Sequence, residues 1–103
     1  MTIDYSTRIG YGYIIDADTV ASLTPEEEME FYDSPYAFAL DSNEPEDSPY
    51  FFGEMPFCLG PGTAMVIPET LTVNRRDIMD SFEHFFPELA DLEPMTYVLS
   101  CVD

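Results

Sequence analysis

Twenty-one aspartates and glutamates stand against three arginines, Arg8, Arg75 and Arg76, in a chain of 103 residues with no lysine, for a formal charge of −18. Self-repulsion of that size opposes every compact state. A domain of this length usually holds only about 5–15 kcal/mol of net stability, so so charged a chain stays disordered unless apolar burial offsets the entropy of ordering. Here 46% of the residues are hydrophobic, and eight Phe and seven Tyr supply large buried areas. The length leaves no room for a second core of useful size. The expectation is a single acidic α+β domain over residues 1–103.

The elements follow from periodicity and caps. Ile9, Tyr11, Tyr13 and Ile15 alternate with Arg8, Gly10, Gly12 and Ile14, a period-two pattern that predicts the first strand. Its glycines leave one face shallow, open to a close backbone or an aromatic ring. A helical turn is expected over Thr19–Leu23. Thr24-Pro25-Glu26-Glu27 is then a capping box with proline at the first helical position, which predicts a helix from Pro25 to about Asp33. Tyr36, Phe38 and Leu40 mark a short second strand, and residues 41–49 an acidic loop. The six residues from Asp33 to Phe38 are echoed by those from Asp47 to Phe52, each opening on Asp-Ser-Pro-Tyr. This reads as one turn chemistry used twice to launch an extended segment.

The apolar stretch Tyr50–Leu59 contains Gly53 and Pro56, so it is expected as a bulged or edge strand. Gly60-Pro61-Gly62 predicts a turn, and Thr63–Ile67 the returning strand of a hairpin. Asn74 before Asp77, with Val73 facing Ile78 across the first turn, predicts a capped and stapled second helix. Its apolar stripe runs through Ile78, Met79, Phe82, Phe85, Phe86 and Leu89, with Pro87 breaking the last turn. Met95, Tyr97, Leu99 and Cys101 alternate as a final strand. Together these predict a small antiparallel or mixed sheet of four to five strands, βαββαβ-like, with two helices on one face.

Little in the chain suggests catalysis. No secretory leader or membrane span is expected, which points to the cytoplasm. Cys58 and Cys101 lie in apolar contexts and read as buried free thiols. His84, flanked by Asp80 and Glu88 at helical spacing, fits a solvated helix residue, and no local signature supports a Cys58–His84 nucleophile. Asp41-Ser42-Asn43-Glu44-Pro45 begins like a calcium loop, but Glu46 replaces the needed glycine and Phe52 the last ligand. No metal and no cofactor are expected, nor an enzyme.

The functional signal is acidic. Glu26, Glu27, Glu28, Glu30 and Asp33 place about one charge per 2 Å of helix, close to the ~1.7 Å of duplex DNA. Asp41, Glu44, Glu46 and Asp47 in the loop, and Asp77, Asp80, Glu83 and Glu88 on the second helix, extend the set. Each taken singly also fits an ordinary solvated face. So few cations disfavour direct binding of nucleic acid or an anionic membrane, and the charge favours a basic protein partner.

In size, acidity and lack of a catalytic motif, the whole chain resembles the phage-encoded DNA-mimic inhibitors, among them anti-restriction proteins, anti-CRISPR proteins and inhibitors of uracil-DNA glycosylase. The resemblance implies a decoy that occupies the nucleic-acid groove of a nuclease, a restriction or CRISPR effector, or a repair enzyme. An immunity-type protein against a basic toxin nuclease and a halophilic acidic domain share the charge.

Overall fold

The computed structural model describes residues 5–68 and 70–102. Strand β1 (Tyr5–Ile15) leads into a short helix α1 (Ala17–Ala21) and then α2 (Pro25–Asp33). Strands β2 (Ala37–Ala39) and β3 (Tyr50–Leu59) follow, then α3 (Arg75–Phe85), a 3-10 turn over Pro87–Leu89 and β4 (Met95–Val102). The four strands form one sheet in the order β2-β3-β1-β4, with every neighbouring pair antiparallel. Setting α1 aside, this is the β-α-β-β-α-β order of a split βαβ arrangement, an α+β fold that carries no function by itself.

The helix starts are built by the residues that predict them. The Thr24 hydroxyl accepts the Glu27 N–H, and the Thr24 N–H donates to Glu27 Oε1, both at 3.2 Å. Asn74 Oδ1 accepts the Asp77 N–H, and Val73 packs on the core beside Ile78. Pro87 ends α3 and opens the 3-10 turn. The two Asp-Ser-Pro segments precede β2 and β3, which pair with Phe38 opposite Phe51. They are not one turn used twice: Asp33 closes α2 and the Ser34 hydroxyl accepts the Tyr36 N–H, whereas Asp47 lies in the loop and Tyr50 already opens its strand.

The larger core lies between the helices and one sheet face. Phe31, the only buried side chain of α2, has no exposed surface and meets the rings of Tyr50, Phe52, Phe85 and Phe86 at 5.6–5.9 Å. From α3, Ile78, Phe82 and Phe85 bury against the same face, with Phe82 stacked 3.7 Å from Tyr13.

The other face holds a second cluster without any helix over it. Phe51, Leu99 and Cys101 are buried there, packed by Phe38, Leu40, Met55 and Tyr97. The sheet covers this cluster by curling. Just past β2, the Val102 N–H donates to the Leu40 carbonyl and the Ser42 N–H to the Val102 carbonyl, each at 2.9 Å, which joins the two outer strands' ends. The glycines of β1 permit the curl. A side chain at Gly10 would fall 2.6 Å from the Phe51 ring, and one at Gly12 would collide with the Phe52 carbonyl oxygen. The shallow face expected from the sequence is filled by a ring and by backbone.

Strand β3 is bulged, as expected: the register shifts between Ile9 and Tyr11, leaving Met55 and Pro56 together opposite Gly10, and β2 flanks only Tyr50–Phe52 on its outer side. Two other expectations are corrected. Thr63–Ile67 is not a strand, and Val66 is 93% exposed. One edge of β3 is taken by β1 along its length, and β2 takes the start of the other, so a returning strand meets only an interrupted edge. Cys58 is exposed rather than buried, while Cys101 is buried, and neither forms a disulfide.

The lower half of the helix-side face is left open. Tyr5, Thr7 and Ile9 of β1 lie beside Val102, Ser100 and Val98 of β4, with Leu59 and Phe57 of β3 on the other flank. Val98 is 74% exposed and Tyr5 57%. None of these residues is charged, in a chain where one residue in five is acidic.

Two substitutions test this account. Phe31→Ala removes the α2 anchor and is expected to lower stability by about 3–5 kcal/mol. Gly12→Ala overpacks the curl and is expected to lower it by about 1–3 kcal/mol. Urea melts followed by circular dichroism measure both, and a loss under about 0.5 kcal/mol in either variant contradicts the packing described.

Candidate functional site

A strongly acidic surface works through where its charges stand, and helix α2 holds the densest group of them. With one buried anchor it exposes five carboxylates within nine residues. Three sit in its first turn, where the helix dipole favours negative charge. Glu27 folds back on Thr24, and those hydrogen bonds, from the side chain and the backbone, hold its carboxyl below the ordinary glutamate range. Glu28 accepts the Tyr32 hydroxyl at 3.0 Å. Hydrogen bonding to Tyr50, burial and Glu28 push the Tyr32 phenol above the usual tyrosine range.

Acids of α2 line hollows on both of its sides. Glu30 and Asp33 share an open groove of about 510 Å³ with Asp80, Ser81, His84 and Phe85 of α3. Across this groove His84 Nε2 lies 3.3 Å from Glu30 Oε2, an ion pair whenever the imidazole carries its second proton. Both side chains are about two-thirds exposed, at 67% and 63%, so the pair is a weak tie. The sequence suggested Asp80 and Glu88 as neighbours of His84; the hydrogen-bond partner is Glu30, from the other helix.

On the opposite side of α2, Glu28 and Glu46 line a hollow with Tyr32, Pro45 and Tyr50. Glu46 also belongs to an adjoining hollow with Asp47, Asp16 and Asp18. Acids therefore line both flanks of α2, Asp16, Asp18, Asp47, Glu46 and Glu28 on one and Glu30, Asp33 and Asp80 on the other, with Met29 and Tyr32 exposed between them.

Other acids expected at the site have structural work or stand apart. Asp41 Oδ1 accepts the N–H groups of Asn43 and Glu44, fixing the turn after the closing bridge. Asp77 completes the α3 cap with Asn74. Glu26, Glu44, Glu83 and Glu88 are exposed and line none of these hollows. Sequence reasoning passed over Asp16 and Asp18, although an aspartate at a helix N-cap and another in its first turn is a recognisable signal. It also passed over Glu54, whose carboxylate accepts the Asn74 N–H at 3.2 Å from the middle of β3.

Among the described residues no group of three or more His, Cys, Asp or Glu side chains is placed to hold a metal ion. No helix there is long and apolar enough to cross a membrane. No protein-family model matches the chain, and no significant similarity links it to a curated protein or to a solved structure.

The cap geometry carries a pH signature. A carboxyl held below its unfolded pKa contributes stability above the ordinary glutamate range, and that contribution is lost as pH falls through the folded value. Thr24→Ala removes the partner that holds Glu27 down, so it is expected to lower the melting temperature at pH 7. The gap between variant and parent should narrow steadily as pH falls below the glutamate range. Thermal melts in steps from pH 7 to about pH 3 read it; a gap that stays constant or widens in acid excludes the capping box as its source.

Proposed function

We propose that this domain is an acidic protein inhibitor that occupies the basic nucleic-acid-binding surface of a target protein, as a nucleic-acid mimic of the phage anti-defence kind. The observation that carries the reading is the set of carboxylates on both flanks of α2, from Asp16 to Asp80, on a body that folds around an aromatic core. Charge at this density steers a basic partner into encounter and disfavours anionic ones. A mimic of this kind acts by binding and needs neither cofactor nor metal. Its targets are nucleases, restriction or CRISPR effectors and repair enzymes, met in the host-cell cytoplasm.

An uncharged patch on the open half of the sheet favours a second reading beside the first. An immunity-type protein joins an apolar contact to an acidic rim and covers a site next to the catalytic groove, whereas a mimic fills the groove itself.

The test combines a panel of purified nucleases, restriction enzymes and repair glycosylases with duplex DNA as competitor. The parent protein is expected to inhibit a member of the panel, to be displaced by DNA, and to bind no DNA directly in a mobility shift. Reversing Glu30, Asp33, Glu46 and Asp80 to lysine should weaken the complex at least a hundredfold, and raising salt from 0.01 to 0.15 M should weaken the parent complex as the Debye length falls from ~30 to ~8 Å. Inhibition that saturating DNA leaves untouched moves the assignment to the immunity type. A chain that folds only near molar salt is a halophilic domain, and the inhibitor reading then fails.

A further inference from the structure

Strand β4 ends the sheet, and its outer edge is only partly covered. Both the N–H and the C=O of Val102 point outward, to Leu40 and Ser42. Backbone direction alternates along a strand, so the N–H and C=O groups of Thr96, Val98 and Ser100 point the same way, while those of Tyr97, Leu99 and Cys101 face β1. Among the described residues no backbone partner meets these three outward donors and three outward acceptors. Folded proteins protect such edges with lysine, proline, charge or a bulge. Met95–Val102 contains none of these.

We propose that the β4 edge receives an extended segment of the basic partner by strand addition, with Thr96, Val98 and Ser100 supplying the ladder. The side chains of this edge adjoin the uncharged patch, so the centre of the incoming segment is uncharged and lies flat beside Val98. Its ends are basic. Asp91 and Glu93 precede β4, and Asp41 and Glu44 stand where it finishes, so each end of the edge is marked by two acids. The same arrangement disfavours a second copy. Antiparallel pairing of two β4 strands about Val98 would bring Glu93 of each copy toward Asp41 and Glu44 of the other, acid against acid. The inference rests on the reading of the protein as a binder of basic partners, and adds to it the element that makes the main-chain contact.

A synthetic peptide of alternating valine and threonine with two lysines at each end is the probe, and the same peptide with glutamate ends is the control. Titration calorimetry and amide hydrogen exchange by NMR are the readouts. The lysine-ended peptide is expected to bind one to one and to slow exchange at Thr96, Val98 and Ser100 at least tenfold, leaving Tyr97 and Leu99 unchanged; the glutamate-ended peptide should do neither. Val98→Pro deletes one outward donor and leaves the β1 ladder whole, a position where an edge strand accepts proline. It should weaken peptide binding at least tenfold, whereas Val98→Thr should not. If Val98→Pro fails to fold, the exchange pattern of the parent protein still decides. Absence of protection at the three amides overturns strand addition. So does protection without peptide accompanied by a dimeric mass in sedimentation, which gives the edge to a second copy. Peptide binding that is lost on reversing Glu30, Asp33, Glu46 and Asp80 but survives Val98→Pro overturns it too, while the acidic-inhibitor reading stands.

Discussion

Helix α2 is held to the sheet chiefly by the ring of Phe31, with Tyr32 reaching Tyr50 beside it, and the densest part of the acidic surface depends on that packing. The helix puts five carboxylates on a nine-residue frame, so it gains little by itself from approaching an already negative body. Burial of a large aromatic side chain among Tyr50, Phe52, Phe85 and Phe86 supplies the opposing term. The His84–Glu30 contact adds little, being exposed. An aromatic anchor suits this task better than several aliphatic ones, because it concentrates the apolar area in one position and leaves the rest of the helix free for charge.

The sheet solves a related problem on its other side. Both helices stand over one face, which would leave Phe51 and Leu99 in water on the other. Curling brings the residues after β2 onto the end of β4 and closes over that cluster. Glycine at positions 10 and 12 makes this affordable in space, since the Phe51 ring and the Phe52 backbone occupy the volume of the missing side chains. The price of curling is asymmetry: the helix-side face opens out below Tyr11, and the uncharged patch lies there.

How much of this was legible follows the range of the interaction that fixes each part. Local chemistry was read well. The Thr24 capping box, the Asn74 cap and the break at Pro87 stand as the residues imply, because each is decided within four or five positions. The alternation in β1 gave the strand but not its neighbours. Whether Thr63–Ile67 forms a strand depends on the edge that β3 offers it, which β2 takes at its start and the Met55–Pro56 bulge interrupts. The acidic site divides in the same manner. The charge-bearing helix was evident, but the pairing of Glu30 with His84 joins residues 54 positions apart, and Asp16 and Asp18 enter the belt only because the 46–49 loop folds beside α1.

The position of β1 bears on how the protein is made. It sits in the middle of the sheet yet precedes both of its neighbours, which begin only at Tyr50 and Met95. During synthesis an aromatic, β-prone segment therefore waits without partners, and such non-local pairing forms slowly and exposes the chain to aggregation. The segment that emerges after it and before those partners is dense in aspartate and glutamate. Mutual repulsion between nascent chains then keeps the waiting strands apart, so the charge that shapes the finished surface also acts as a solubilising leash on the unfinished one.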